Sequence, residues 1–398
     1  MELFGFDVRW TLPERLLSIE DYRRAARRRL PAMVWNYIDG GADDLVTLRD
    51  NRSAFDRWSL VPGVLKGIED HDTAATVAGI PLALPVLLAP TGASGMAHWR
   101  TDLLAAAVAE RMGTRYVVST ASSWSLEEIA EAAREAHLFQ LYPRAGTVTS
   151  SLMRRAWSAG YRTMMVTVDV PVKGSREGER RTGMRGNGLP PILTPRTALN
   201  FARHPRWTYD VVRHQRFGGY NFVEQTGIAA AVESLHIQER ELMQSTLNWD
   251  DVAWMRDQWK GALYLKGILN PEDAEQAVRL GFDGVVVSNH GGRQLDFAPA
   301  SLDALPDVAA AVGGKAEVLL DGGVRRGSDV VKALALGASA VMIGRPYLYG
   351  VAVSGAAGVR HVLEILREEI VRTLTLMGVA SVGDLDRSSV TPRHHEFK

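Results

Sequence analysis

The sequence predicts a (β/α)8 barrel, and three observations carry that prediction. Eight short apolar runs recur from about residue 80 onward, amphipathic helix-like stretches separate them, and nearly every run ends in a polar or glycine residue. Eight strand–helix units are the count of such a barrel, and polar strand termini gathered on one rim are where its chemistry sits.

Residues 1–17 show no clear period and read as an arm. Ser18 then reads as a helix N-cap, with Glu20 and Asp21 in the first turn and Pro31 as a stop. The run RRAARRR in that helix suits either anionic lipid or, more simply, a solvated face, since acids and alanines are interleaved. Residues 1–80 are therefore expected to pack on the barrel as an arm and helical segment. The apolar runs are Val86–Ala89, Tyr116–Ser119, Leu138–Leu141, Met164–Val168, Ala262–Lys266, Gly284–Ser288, Glu317–Leu320 and Ala340–Ile343. They are apolar on both faces, as parallel strands covered by helices must be. Between them lie LLAAAVAERMG, SLEEIAEAAREA, SSLMRRAWSAG, PEDAEQAVRLG and SDVVKALALG, with apolar residues at i, i+3, i+4 and i+7 and several terminal glycines. A doubly wound open sheet is the alternative, but eight units and the polar rim favour the barrel. The barrel is placed at 81–385, with 386–398 as a tail.

The rhythm breaks once. The chain between the fourth and fifth runs is far longer than one helix needs, and the excess, 177–245, reads as an insertion. It opens Gly-, Pro- and Arg-rich and continues mixed aromatic and basic. A long connection on the catalytic face is usually a lid or a docking surface. Here a mobile lid is expected, with Phe201, Arg203, Arg206, Trp207 and Tyr209 able to touch a membrane surface.

Composition excludes several function classes. Lys plus Arg equals Asp plus Glu at 46 each, which argues against a phosphate-neutralising nucleic-acid binder. The chain has no cysteine, so disulfides, thiolate metal sites and cysteine nucleophiles are ruled out. No run approaches the 18 or so apolar residues of a membrane span, and the N-terminus lacks a signal-peptide layout. The expected location is the cytoplasm, with peripheral contact on the inner face of the membrane.

Residue types at the strand ends define the candidate site. Pro90, Thr91 and Gly92 follow run one; Ser119 ends run two; Gln140 and Tyr142 end run three; Thr167 and Asp169 end run four; Lys266 ends run five. Run six leads into Ser288, His290 and Arg293, run seven into Asp321, Gly322, Gly323 and Arg325, and run eight into Gly344 and Arg345. The last two termini, where barrels commonly bind phosphate, combine glycines with fixed positive charge. His290 with Asp169 suggests a general base oriented by a carboxylate. Arg293 suggests an acidic substrate, because a guanidinium matches a carboxylate bidentately. No second histidine lies at ligand spacing, so no metal site is expected.

The stretches SNHGGRQLD, LDGGVRRGSDVVKALALGA and IGRP, with LPAMVWNYIDGGADD, APTG, VVSTASSWSLEEIA, FQLY, TVDVPVKGSRE and LYLKGILNPEDA, resemble the FMN-dependent α-hydroxy acid dehydrogenase and oxidase family over about residues 18–390. The insertion, with LNFARHPRW and LNWDDVAWMRDQW, is more similar to the membrane-associated mandelate and bacterial lactate dehydrogenases than to glycolate oxidase. The resemblance implies FMN as cofactor and oxidation of an (S)-2-hydroxy acid to a 2-oxo acid (EC 1.1), with electrons passed to a quinone or to oxygen, in a homo-tetramer. It implies His290 as base bonded to Asp169; Arg293 and Arg176 on the substrate carboxylate with Tyr37; Tyr142 at the substrate hydroxyl; and Lys266 beside the flavin N1 and O2 edge. Pro90, Thr91, Gly92, Ser119, Gln140, Thr167 and Ser288 would also contact FMN, with its phosphate on Asp321, Gly322, Gly323, Arg325, Gly344 and Arg345. Gly92, alanine in glycolate oxidase-like members, implies a bulky, mandelate-like substrate. One departure stands out: after Arg176-Glu177 the family has a basic residue and an aspartate, where this chain has Gly178 and Glu179.

Overall fold

In the computed structural model, which describes residues 16–135, 137–144, 147–184, 194–221 and 246–393 and the backbone of 2–3 and 6–7, the eight apolar runs form eight parallel strands. They are β1 (Val86–Leu88), β2 (Val117–Ser119), β3 (Leu138–Leu141), β4 (Thr163–Thr167), β5 (Ala262–Ile268), β6 (Gly284–Val287), β7 (Glu317–Asp321) and β8 (Ala340–Ile343). The spatial order is β1-β8-β7-β6-β5-β4-β3-β2, and a parallel bridge between Leu88 and Tyr116 closes β1 on β2. The fold is therefore the expected barrel and not an open sheet.

Two apolar layers hold it. Leu87, Val117, Leu138, Met165, Tyr264, Val286, Leu319, Ala340 and Met342 fill the interior, and a larger set lies between strands and helices. Each fully buried Val or Leu contributes roughly 1.5–3 kcal/mol. A hairpin, Ala75–Val77 with Ile80–Leu82, plugs the bottom with Val77 and Leu82. Its turn residues Ala78 and Gly79 both have positive φ, as a tight hairpin turn requires.

The N-terminal segment is part of the catalytic half. Helix α1 (Ile19–Arg29) starts as expected, with the Ser18 hydroxyl accepting from the Asp21 N–H. Its arginines are partly committed: Arg23 is bidentate to Asp39 at 2.8 and 2.7 Å, and Arg29 donates to the Val353 carbonyl. Helices α2 (Ala32–Asp39) and α3 (Val46–Ser53) follow, and α3 is tied to the loop after β6 by Asp296, which accepts the N–H groups of Asp44, Val46 and Thr47.

The barrel helices are α4 (Thr101–Arg111), α5 (Leu126–Ala132) and α6 (Thr147–Ser158), then α7 (Glu177–Arg181), α8 (Pro195–Ala202) and α9 (Pro205–His214) in the insertion, then α10 (Trp249–Gln258), α11 (Pro271–Arg279), α12 (Ser301–Val312), α13 (Gly327–Ala335) and α14 (Arg345–Met377). Helix α14 breaks at Ser354 and Gly355, next to the Val353 carbonyl that Arg29 satisfies.

Two expectations change. The stretch from 386 is no free tail: Val390–Pro392 pairs antiparallel with Trp58–Leu60, a long-range contact that no local pattern announces, while 394–398 lie outside the described residues. The described part of the insertion packs on the rim, and 185–193 and 222–245 lie outside the described residues. Phe201 and Trp207 are not offered to a membrane: their rings stack at 5.8 Å and the Trp207 indole N–H donates to the Met96 carbonyl at 2.7 Å. Arg203, Arg206 and Tyr209 do face outward, joined by Leu199 and Val212.

Candidate active site

The C-terminal rim surrounds a cavity that opens to solvent, and the atom-free space of about 1330 Å3 that it spans includes part of that solvent. Its wall includes Tyr37, Pro90, Thr91, Gly92, Gln140, Tyr142, Thr167, Arg176, Lys266, His290, Arg293, Gly322, Gly323, Arg325, Gly344 and Arg345, together with Asp321. The expected residues that line it thus come to one place from seven strand ends and α2, and the loop after β2 is represented on the wall by Ala121. Three expected residues stand behind the wall instead: Ser119, Asp169 and Ser288. Each orients a residue that does line it. The Ser119 hydroxyl donates to Gln140 Oε1 at 3.1 Å, and Gln140 Nε2 donates to Thr167 Oγ1 at 2.8 Å. Lys266 Nζ donates to Ser288 Oγ at 2.8 Å.

His290 is built to act as a base. It has φ +58 and is followed by Gly291 and Gly292, also left-handed, so the chain turns sharply off β6. A side chain at Gly292 would strike the backbone of Leu48, its Cβ 2.6 Å from that nitrogen. Strain of this kind in a non-glycine residue persists where surrounding contacts fix it. The Asp169 carboxylate lies 3.1 Å from His290 Nδ1 and so holds the proton there, leaving Nε2 as acceptor, 3.2 Å from the Tyr142 hydroxyl. A bulge at Gly267 in β5 makes room for Asp169, whose Cβ would be 2.5 Å from a side chain there. Burial lowers the His290 pKa below its ordinary value; Asp169 opposes this, and Lys266 and Arg176 add to it. Burial would raise the Asp169 carboxyl, but the His290 ring and Lys266 reverse that, so it stays low. The pair rests as carboxylate and neutral imidazole.

Opposite stand the two arginines. Arg293 donates to the Tyr37 and Gly40 carbonyls at 2.6 and 3.3 Å, and its guanidinium lies 5.1 Å from the Tyr37 ring centroid. The Tyr37 hydroxyl donates to the Gly92 carbonyl at 2.7 Å. Arg176 is held by the Arg293 carbonyl and by Gln294 Oε1. Burial, and then its neighbour Arg293, pull the Arg176 pKa down to about 10, while Glu179 acts to raise it. Glu179 is the residue at the departure from the family pattern. Its buried carboxylate lies 3.2 Å from Arg293, 3.7 Å from Arg176 and 3.7 Å from Lys173. Lys173, Val170 and Ala121 also line the cavity. Sequence reading missed all four as site residues. The one usable signal was Glu179 three residues after Arg176 on a helix; the others depend on tertiary placement.

The cofactor end fits a flavin phosphate and ribityl chain, with one revision. Arg325 and Arg345 are both half-buried, and the desolvation lowers the pKa of each, Arg345 to about 10. Arg345 spends three hydrogen bonds on the carbonyls of Ile38, Gly40 and Gly291, so it braces the rim as well as supplying charge. Asp321 is paired with Lys266 at 2.7 Å, and its other oxygen is buried without a hydrogen bond among the described residues. A carboxylate in that state repels a phosphate and accepts from a hydroxyl, so Asp321 suits a ribityl hydroxyl better.

Comparison with known proteins agrees with this geometry. Residues 26–392 match the family model described as FMN-dependent dehydrogenase. The chain is 41% identical over 377 residues to an L-lactate oxidase from Nostoc sp., covering 94% of this chain and 97% of that one. It is 37% identical over 374 residues to an (S)-mandelate dehydrogenase from Pseudomonas putida, covering 94% and 93%. Among solved structures, a monotopic membrane (S)-mandelate dehydrogenase superposes with a TM-score of 0.90 at 37% identity, over 96% of this chain and all of that one.

Proposed function

The chain belongs to the FMN-dependent dehydrogenase family and is an FMN enzyme that oxidises a 2-hydroxy acid; on that premise we propose that its substrate is a bulky, aromatic (S)-2-hydroxy acid of the mandelate kind, oxidised to the 2-oxo acid. The observation that carries this is Gly92. It lines the cavity beside Tyr37 and Ala121, where a methyl group would stand 3.0 Å from the Ala121 Cβ and take space from the substrate side. The lactate enzymes among the relatives favour a second reading, a small 2-hydroxy acid such as lactate.

In this reading Arg293 and Arg176 bind the substrate carboxylate, and Tyr142 hydrogen-bonds its hydroxyl. His290 Nε2 takes up the proton released on oxidation, and Asp169 stabilises the imidazolium that forms. FMN, when bound, accepts the two electrons. Lys266 places a cation where negative charge then collects. Pro90, Thr91, Gly92, Gln140 and Thr167 would pack against the flavin; Asp321 would hold the ribityl chain; and Gly322, Gly323, Arg325, Gly344 and Arg345 would hold the phosphate.

Electrons then pass to a quinone, with oxygen as the alternative acceptor. No helix among the described residues is long and apolar enough to cross a membrane. The outward face of α8 and α9, with Leu199, Tyr209 and Val212 among Arg203, Arg206 and Arg213, supports peripheral contact with an anionic surface by a cytoplasmic enzyme. A homo-tetramer is the proposed assembly. Anaerobic mixing with a panel of 2-hydroxy acids tests the substrate: flavin bleaching is expected to be faster with mandelate than with lactate or glycolate, and the reverse order refutes it. Reoxidation by quinone against oxygen tests the acceptor. Co-sedimentation with anionic vesicles tests the surface, and none at low salt refutes it.

A further inference from the structure

The insertion after β4 reaches the wall of the site indirectly. Its return segment re-enters the barrel rim at Arg216–Asn221 and locks onto the loop after β2. The Arg216 carbonyl sits on Gly95, where a Cβ would be only 1.7 Å away, so only glycine allows that approach. The Arg216 guanidinium is bidentate to Glu128 at 2.9 and 3.1 Å and lies 4.0 Å from the Trp124 ring centroid. The Tyr220 N–H donates to the Ser122 carbonyl at 3.0 Å.

Asn221 closes the lock. It is 4% exposed, and its side chain is fully used. The two hydrogens of Nδ2 are shared among the carbonyls of Ser119 and Thr120, at 3.2 and 3.0 Å, and Ser122 Oγ, at 3.0 Å, while Oδ1 accepts the Leu126 N–H at 2.8 Å. Its own carbonyl accepts from Arg155 at 2.8 Å. The loop is pinned from its other side by Asp102, which accepts the Ser123 N–H at 2.8 Å. Between these pins stands Ala121. Its carbonyl accepts the Ala93 N–H at 2.8 Å, and its methyl faces Gly92 across the cavity wall. The carbonyls of Ser119 and Thr120, which Asn221 holds, lie on the N-terminal side of Ala121.

We infer that Asn221 is a positioning residue for the substrate pocket: by holding the Ser119 and Thr120 carbonyls it fixes where Ala121 stands against Gly92, and so couples the inserted segment to substrate size. This rests on the 2-hydroxy acid reading of the cavity. Removing this side chain takes the Asn221 partner from the Thr120 carbonyl and the Leu126 N–H, while the Ser119 carbonyl keeps the Ser122 N–H at 3.0 Å, so the loop must shift around Thr120 to recover what is lost. The shift moves the wall and not the base, because His290 and Asp169 are held from β6 and β4.

The test uses FMN-loaded Asn221→Ala and Asn221→Asp, each alone and combined with Gly92→Ala. Two quantities are read at a temperature well below unfolding: the FMN dissociation constant, by flavin fluorescence, and the ratio of kcat/KM for mandelate over lactate, by anaerobic flavin reduction. Asn221→Asp keeps the acceptor for Leu126 but loses the donor group, so it separates capping of α5 from the hold on the carbonyls. Both variants are expected to change the ratio at least fivefold. The effect of Gly92→Ala on the ratio is expected to shrink at least threefold in either background, because a relaxed wall gives way to the methyl. An Asn221→Asp enzyme with the wild-type ratio, or a full Gly92→Ala effect without Asn221, overturns the proposal. If Asn221→Ala does not fold, Asn221→Ser replaces it under the same criteria. If no 2-hydroxy acid bleaches the wild-type flavin, the functional reading fails by itself. FMN binding weakened at least fivefold by both Asn221 substitutions then still supports the positioning role, and unchanged binding overturns it.

Discussion

Replacing Gly92 by alanine is the sharpest single test of substrate size. Gly92 does not have the left-handed backbone that would strain another residue, so the cost of Gly92→Ala is steric alone. The added Cβ would stand 3.0 Å from the Ala121 Cβ, 3.6 Å from the Tyr37 hydroxyl and 3.7 Å from the Ala121 carbonyl oxygen. The first contact is tight by a few tenths of an ångström, and Ala121 is held from both sides by Asp102 and Asn221. The wall therefore yields little, and the methyl takes space on the substrate side. One methyl-sized group in a pocket is worth about 1–3 kcal/mol of discrimination, or roughly 5- to 150-fold in relative kcat/KM. Lactate, with a methyl side chain, has room to spare; mandelate, with a phenyl ring, does not. Anaerobic stopped-flow reduction of the flavin by each acid measures the two losses separately. Mandelate is expected to lose at least fivefold more than lactate. Equal losses, or a wild type that prefers glycolate, would refute the size reasoning.

Three further outcomes follow from the same geometry. His290→Ala should bind FMN and 2-oxo acids yet reduce its flavin at least roughly a hundredfold more slowly, as loss of a general base requires; near-normal reduction would remove His290 from that role. Catalysis needs a neutral Nε2, and burial holds the His290 pKa below 6.5, so kcat/KM of the wild type should fall only on the acid side of that value. Asp169→Asn removes a contribution that raises this pKa, so the acid limb should move to lower pH while flavin reduction slows; a limb that moves up in pH contradicts the pairing. Lys266→Met leaves Asp321 buried without its partner, a loss of about 3–5 kcal/mol, so it should weaken FMN retention and, where FMN stays, lower its potential. Asp321→Asn should raise the potential, and redox titrations that find both unchanged would rule out the flavin-edge placement.

The barrel was legible because its signal is local and repeated. Strands buried on both faces are continuous apolar runs, and all eight fell within two residues of their expected bounds. The largest extension, of β5 to Ile268, follows the bulge at Gly267, which carries the strand past the polar Lys266. The catalytic rim was legible for a related reason: a polar residue at the end of an apolar strand has only the rim to point to. What escaped were contacts with no period. The pairing of Val390–Pro392 with Trp58–Leu60 joins stretches far apart in the sequence. Asn221 lies in a stretch whose composition resembles any loop. Arg345 reads as a phosphate ligand from its place after β8, but its partners on α2 and after β6 are fixed only by the fold.

The charge around the substrate gives one more expectation. On that side of the cavity Lys173, Arg176 and Arg293 face Glu179 and, behind the base, Asp169. Three cations against two carboxylates leave one positive charge, and a substrate with one carboxylate cancels it. Proton capture by His290 then forms its cation beside Asp169, so the new charge arises next to its counterion. A 2-hydroxy dicarboxylic acid such as malate would bring a second negative charge, and the described residues on that side leave no net positive charge to meet it. Wild-type enzyme should therefore discriminate against malate. Glu179→Gln removes one carboxylate and leaves a positive charge over when a monoacid binds. At about 4 Å a unit charge is worth about 4 kcal/mol at an effective dielectric of 20 and about 1 kcal/mol in water. The malate-to-mandelate ratio of kcat/KM should accordingly rise at least roughly fivefold in Glu179→Gln, and the rise should shrink with added salt, because the cavity is open to solvent. Release of the monoanionic 2-oxo acid should slow in the same variant. An unchanged ratio, or a wild type that oxidises malate as well as mandelate, would show that Glu179 does not set the charge the substrate meets.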